Sequence, residues 1–276
     1  MDATHPSASF GPLLRAWRAA RGKSQLVLAT QAGVSSRHLS FVETGRSSPS
    51  REMVLTLAET LEVPLRDRNV LLEAAGYAGM YKETPLDAPA MTEVRHALSR
   101  MLEAGEPNPT LVVNRRYDIL MANTAAQRLI ACFAPDWRGK ANVAQMLLAP
   151  EGLRPSVVNW SEVAAHVVHR VRGELAASRS LDREDESLLR QMIAADAELR
   201  RERAKPTLPP SILVPLRLRR FDLALDLFTT ITTLGTPLDV TLQELRIETL
   251  FPADARGREA LLALVRGEPD PRACVS

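Results

Sequence analysis

Cysteine is nearly missing from this chain of 276 residues, Cys132 and Cys274 being its two. Two distant thiols exclude a disulfide framework, and also a structural zinc cluster, which takes about four Cys or His ligands at close spacing. A reducing cytoplasm is the compartment this usage predicts. Long apolar runs are missing too. No stretch reaches ~18 uninterrupted apolar residues, and the opening MDATHPSASFGPLL has an acid where a signal peptide has bases and lacks an apolar core. The expectation is a protein that neither spans a membrane nor is exported by that route. Charge of one sign is absent in sum, since 35 Lys and Arg face 33 Asp and Glu for a formal +2. The motifs of common chemistries are also lacking. Gly139-Lys140 lacks the earlier glycine and the Ser or Thr of a P-loop, and there is no G-x-S-x-G nucleophile elbow. His166 and His169 lie three apart on an expected helix, a spacing compatible with a shared metal, but no carboxylate or Cys completes a set. Cys132, inside an apolar helix, reads as a buried small hydrophobe. No metal, no cofactor and no enzyme activity are therefore expected.

What is present is enough apolar sequence, 45% of residues, to bury a core in each of two domains. The neutral total conceals a gradient. From Pro12 to Arg51, seven bases (Arg15, Arg18, Arg21, Lys23, Arg37, Arg46, Arg51) face the single acid Glu43, a net of +6. From Glu52 to Met80 the sign reverses, with five acids (Glu52, Glu59, Glu62, Asp67, Glu73) against Arg66 and Arg68, a net of −3. A compact basic end on a neutral chain is the footprint of nucleic-acid binding, because each cation near a phosphate releases counterions. A solvated basic face is the plainer alternative, and charge alone leaves both open.

Punctuation divides the first eighty residues into five expected helices: Gly11 to Arg21, Ser24 to Ala32, Ser35 to Thr44, Arg51 to Leu61 and Pro64 to Ala75. Ser24 and Ser35 suit N-caps, Gly22 and Gly33 suit the turns, and Gly45 with Pro49 closes the third helix. Leu28, Ala29, Ala32, Val34, Leu39 and Val42, with the stripe Val54, Leu57, Ala58 and Leu61, predict one small shared core. Residues 81–108 read as a Pro-rich linker around a helix from Met91 to Ala104. Beyond it the sequence predicts a mixed α+β domain over residues 109–270. Its strands are expected at Thr110 to Val113, Tyr117 to Ala122, Ile212 to Arg219, Leu223 to Thr233 and Leu242 to Phe251. Its helices are expected from Asn123 to about Phe133, Trp160 to Ala177, Asp182 to about Arg203, and Arg256 to Arg266. Asp182, Glu184, Asp185 and Glu186 stand where a helix dipole favours acids, which accounts for them without catalysis.

Helices two and three, SQLVLATQAGVSSRHLSFVE, have the layout of a helix-turn-helix: Ala29 permits close approach, Gly33 opens the turn, and Leu39 and Val42 anchor the second helix. Phe10 to Gly76 resembles the five-helix DNA-binding domain of XRE-type regulators. The shared text is Ser24-Gln25, Leu28-Ala29, Gly33-Val34-Ser35, Leu39, Glu43-Thr44-Gly45-Arg46, Pro49, and Leu57-Ala58 through Leu61 and Val63. The resemblance, over residues 1–80, implies binding of double-stranded DNA as a homodimer, at half-sites one helical turn apart in a palindrome. It places Gln25 at a phosphate beside a helix N-terminus and Ser35, Ser36, Arg37, Ser40 and Phe41 toward the major groove. Arg37 is suited to guanine O6 and N7, and Phe41 to a thymine methyl, although the family more often has Gln there. Arg46 and Arg51 fall to the DNA backbone, and Arg18 with Glu43 to an internal salt bridge. A helix-turn-helix used only for protein contacts is the competing possibility.

The second domain resembles the PAS-like ligand-binding domain of MmyB-like regulators, through PTLVVNRRYDILMANTAAQRLI, Asn159-Trp160 after PEGLRP, TTITTLGTP, DVTLQELRI and FPAD. The resemblance implies a PAS-like sheet with helices on one face, an apolar pocket, and a lipophilic ligand such as a fatty acid. A curved sheet of this kind predicts a lining from Met121, Phe133, Met146, Leu147, Trp160, Val167 and Phe228, with Asn123 or Thr230 orienting the ligand. Core packing explains each of these residues as readily, and Asn123 is also a ready N-cap. Two readings stay open: a one-component transcription regulator whose second domain senses a small apolar molecule, or a DNA-binding regulator whose second domain is a ligand-free dimerisation module.

Overall fold

The computed structural model describes residues 9–177, 181–203 and 214–267. The chain forms two compact units. The first comprises the described parts of residues 1–84 with the short stretch 236–243, and the second runs from residue 85 onward apart from that stretch.

In the first unit, five helices follow the sequence punctuation closely: α1 (Phe10–Ala20), α2 (Gln25–Gln31), α3 (Ser36–Glu43), α4 (Arg51–Thr60) and α5 (Leu65–Ala74). The side chains of Ser24, Ser35 and Ser50 cap α2, α3 and α4 by accepting from Val27 N, His38 N and Met53 N. Gly33, in the turn between α2 and α3, has φ +66°, a left-handed conformation that side chains resist. Leu14, Trp17, Leu28, Leu39, Val42, Val54, Leu57, Leu61 and Leu72 form the buried core. Gly11 lets α1 lie against the end of α3, since a Cβ there would stand 2.5 Å from the Glu43 carbonyl oxygen. The stretch 236–243 is secured to this unit by three residues. Asp239 accepts from Thr84 Oγ1 at 2.7 Å, Val240 N donates to Lys82 O at 2.8 Å, and Gln243 Oε1 accepts from Leu65 N at 2.7 Å.

The second unit is an α+β domain built on an antiparallel sheet in the order β2-β1-β5-β4-β3, an arrangement consistent with the PAS-like expectation. The strands are β1 (Thr110–Val113), β2 (Ile119–Ala122), β3 (Leu216–Arg220), β4 (Leu223–Thr232) and β5 (Arg246–Pro252). Helices α6 (Thr92–Gly105), α7 (Thr124–Phe133), α8 (Val143–Leu148), α9 (Trp160–Ala177), α10 (Arg183–Arg203) and α12 (Ala255–Arg266) accompany it, and the short α11 (Val240–Glu244) lies between β4 and β5. Phe133, Val168, Val171, Leu175, Met192, Leu218, Leu225 and Leu227 are among the buried core residues. The α6 segment, expected to be part of a linker, has Leu98 and Leu102 buried and falls in this unit. Asp185 at the start of α10 is wholly buried and pairs with Arg115 and Arg116, so the acids there do more than complement a dipole.

Three local expectations differ from the structure. Tyr117 is not in a strand but in the β1–β2 turn, at φ +66°. The segment expected as a strand from Leu242 begins as α11, and its strand starts at Arg246. The helix α8 was not expected, its six residues being too short for a periodic signal. Ile212 and Cys274 lie outside the described residues.

Candidate DNA interface and candidate ligand cavity

Four of the seven bases in the head serve its own structure. Arg18 donates to Glu43 through Nε at 2.6 Å and Nη2 at 2.9 Å, and Arg15 lies 3.6 Å from the same carboxylate. Arg21 donates to Leu61 O and Glu62 O, and Lys23 Nζ to Thr60 O, so both satisfy carbonyls at the C-terminal end of α4. Among the described residues, Arg37, Arg46 and Arg51 are exposed and make no ion pair. Arg37 lies on the open side of α3 with its guanidinium 5.4 Å from the Phe41 ring centroid, a cation–π contact that holds the two side chains together. Ser36, Ser40 and Phe41 are half-buried and Ser35 is exposed, its Oγ engaged as the α3 cap. Gln25 Nε2 donates to Glu43 Oε2 at 2.7 Å, so what it offers a phosphate is its remaining N–H and the α2 N-terminus. Burial by itself would push the Glu43 carboxyl up, but the bonds from Arg18 and Gln25 hold it below its ordinary value.

The second unit contains a cavity of about 360 Å³. From α9 it takes Val163, His166, Val167 and Arg170, a stripe at i, i+3, i+4 and i+7 on one helix face. α8 contributes Val143, Met146 and Leu147, α7 contributes Leu129 and Ile130, and the sheet contributes Leu111, Ile119, Leu216, Thr229, Glu248 and Leu250. Apart from His166 and Thr229, the walls are apolar except at one cluster. There Arg170 Nη1 donates to the Tyr117 hydroxyl at 3.1 Å and lies 3.3 Å from Glu248 Oε1. Burial, reinforced by the charge of Glu248, pushes the Tyr117 hydroxyl well above its ordinary value. Burial likewise raises the carboxyls of Glu248 and of Glu174, which follows Arg170 by one turn of α9. Mostly apolar walls with a few convergent polar groups are the usual composition of a small-molecule site. No cluster of three or more His, Cys, Asp or Glu that could hold a metal occurs among the described residues.

Two family comparisons bear on these sites. Residues 9–71 match a helix-turn-helix domain, and residues 94–264 match the MmyB-like transcription regulator ligand binding domain. The chain belongs to the MmyB-like transcription regulators. Among curated proteins, none matches it. A solved chain described as "Structure of an RNA-binding Light-Oxygen-Voltage Receptor" is 14% identical, the match covering 96% of this chain and 65% of that one at a TM-score of 0.26. This chain thus spans a little under two thirds of that one, and so weak a likeness carries no argument. No helix among the described residues is long and apolar enough to cross a membrane.

In this MmyB-like regulator the residues expected to meet a ligand divide into three groups. Met146, Leu147 and Val167 line the cavity. Phe133 and Trp160 are buried in the core without lining it, and the Trp160 Nε1–H donates to Leu147 O at 2.7 Å, positioning a lining element. Met121, Asn123, Phe228 and Thr230 lie elsewhere. The register shift in β2 pairs Ile119 with Val113 but Met121 with Val112, so the irregularity at Leu120 puts Ile119 on the cavity face and Met121 on the other. Phe228 stacks on Phe251 with centroids 5.4 Å apart, while its neighbour Thr229 lines the cavity; alternation therefore also sends Thr230 away. Asn123 is buried and fully engaged, accepting from Thr110 N and Ala126 N and donating to Leu102 O and Asn108 O. Tyr117, Arg170 and Glu248 were not anticipated. The α9 stripe was legible as a helical period, whereas Tyr117 and Glu248 needed the turn and the strand register.

Proposed function

We propose that this MmyB-like regulator is a one-component, XRE-type transcription factor. As a homodimer in the cytoplasm, it reads a palindromic site in double-stranded DNA by placing α3 in the major groove. The observation that supports this most is the division of the bases: Arg15, Arg18, Arg21 and Lys23 are engaged by Glu43 and the α4 carbonyls, while Arg37, Arg46 and Arg51 remain exposed along and after the recognition helix. Arg37 reads a guanine, with Phe41 beside it at a neighbouring base. Ser35, Ser36 and Ser40 flank that contact, and Gln25, Arg46 and Arg51 hold the backbone. The second domain binds a small lipophilic molecule in the cavity lined by α8, α9 and the sheet. A volume of about 360 Å³ with apolar walls favours this over a ligand-free dimerisation module. A fatty acid is the ligand class the resemblance implies, and the head group decides whether it fits. No catalytic step is assigned to either unit.

Selection of bound sites from a random DNA pool tests the reading. The expected product is a palindrome with half-sites about 10 base pairs apart, centre to centre, and a guanine opposite Arg37. Recovery of no sequence preference would contradict a specific regulator and leave a protein-interaction fold.

A further inference from the structure

The polar cluster of the cavity restricts what kind of head group can enter. Arg170 from α9 is its cation, and Glu248 from β5 lies 3.3 Å away. One turn beyond Arg170, Glu174 lies 3.8 Å from Arg246, which begins β5. Beside them, Arg115 from the β1–β2 turn lies 3.7 Å from Glu244 and also pairs with Asp185. His166 from α9 also lines the cavity, and the Tyr117 hydroxyl accepts from Arg170. The guanidinium in the cavity wall is thus already matched by a carboxylate in the same wall. The buried Oε2 of Glu174 has no hydrogen-bond partner among the described residues. An ionised head on Arg170, whose side chain is 42% exposed, adds a second anion beside the buried Glu248, and the two like charges oppose one another. A hydroxyl or primary amide adds no charge. Its oxygen can accept from Arg170, and its O–H or N–H can donate to Glu248. Burial has already raised the Glu248 carboxyl, which makes it a poor neighbour for a further negative charge.

We propose that the cavity selects a lipophilic molecule with an uncharged hydrogen-bonding head, an alcohol or a primary amide, over the ionised fatty acid of equal chain length, and that Glu248 sets this selection. The inference rests on the reading that the cavity binds a lipophile. A carboxylate enters only with a proton, taken up by Glu248 or by the ligand itself.

The test uses the full chain and a fluorescent apolar probe displaced by decanol, decanamide or decanoate at about pH 8, where a free carboxylic acid is ionised. Decanol and decanamide are expected to displace at concentrations about tenfold or more below decanoate, a difference of about 1.4 kcal/mol. In Glu248→Gln the ratio of the decanoate to the decanol concentration needed should fall about tenfold. A wild-type measurement guards against a misfolded variant: calorimetry in buffers of different ionisation enthalpy should register uptake of about one proton with decanoate and none with decanol. Decanoate binding as tightly as decanol without proton uptake overturns the proposal and leaves the lipophile reading standing. An unchanged ratio in folded Glu248→Gln does the same. If none of the three displaces the probe, the lipophile reading itself fails and takes the proposal with it.

Discussion

Glu43 has a side chain with no exposure to solvent, and it meets Arg18 through a two-pronged pair and Gln25 through a third bond. Removing one member of such a pair strands the other, so Glu43→Ala is expected to cost the head about 3 kcal/mol in chemical denaturation. The pH dependence has a definite sign. Because the folded carboxyl is held below its ordinary value, its contribution is complete above the unfolded value near 4.3 and is lost as pH falls through the lower folded value. Stability measured from about pH 6 down to about pH 3 should therefore fall more steeply in the wild type than in Glu43→Gln. Parallel curves would show that the pair contributes no linkage. At the DNA surface, Arg37→Ala should lose ~1 to 3 kcal/mol on the selected site and little on random DNA. Arg46→Ala and Arg51→Ala should instead weaken all sequences and each lower the salt slope by about 1. Equal losses on both DNAs would make Arg37 a phosphate contact. Single residues in the head were legible because short-range spacing fixes their neighbours: Arg18 and Glu43 meet as the helix-turn-helix text implied, and Ser24 and Ser35 cap as expected. Glu248 was not, because a carboxylate on a strand reads as solvent-facing until the strand beside it is known.

Among the elements, close approaches at two glycines are expected to govern two different readouts. A Cβ on Gly11 would meet the backbone at the end of α3, so Gly11→Ala should push α1 outward and cost about 1 to 3 kcal/mol of head stability. A Cβ on Gly152 would stand 2.0 Å from the Met146 carbonyl oxygen, which lies in α8, the helix of the lining residues Val143, Met146 and Leu147. Gly152→Ala should therefore weaken probe binding in the cavity while operator binding without ligand is unchanged. Unaltered probe affinity would mean that α8 does not shape the site. The helices of the head, α9 and α10 could be read from period and caps because those signals are local. The β2 face could not, since one irregularity at Leu120 exchanges which of Ile119 and Met121 points inward. Nor could the start of β5, whose preceding residues fold as α11.

At the scale of the whole molecule, the near-zero net charge hides the basic head, and the chain does not run simply from one unit to the next. Residues 236–243, drawn from between β4 and β5, pack within the head's unit through Asp239, Val240 and Gln243. The strands on either side of that stretch supply Thr229, Glu248 and Leu250 to the cavity. Asp239→Ala removes the Thr84 bonds and should reduce the effect of ligand on DNA binding while leaving probe affinity in place. Ligand can act on DNA binding only through a difference in affinity between two states, and such couplings are typically about 1 to 3 kcal/mol. The most direct test is the dissociation constant of the full chain for its selected DNA site, with and without saturating decanol. The account predicts a change of about fivefold or more in either direction. An identical constant, under conditions where decanol displaces the probe, would contradict it.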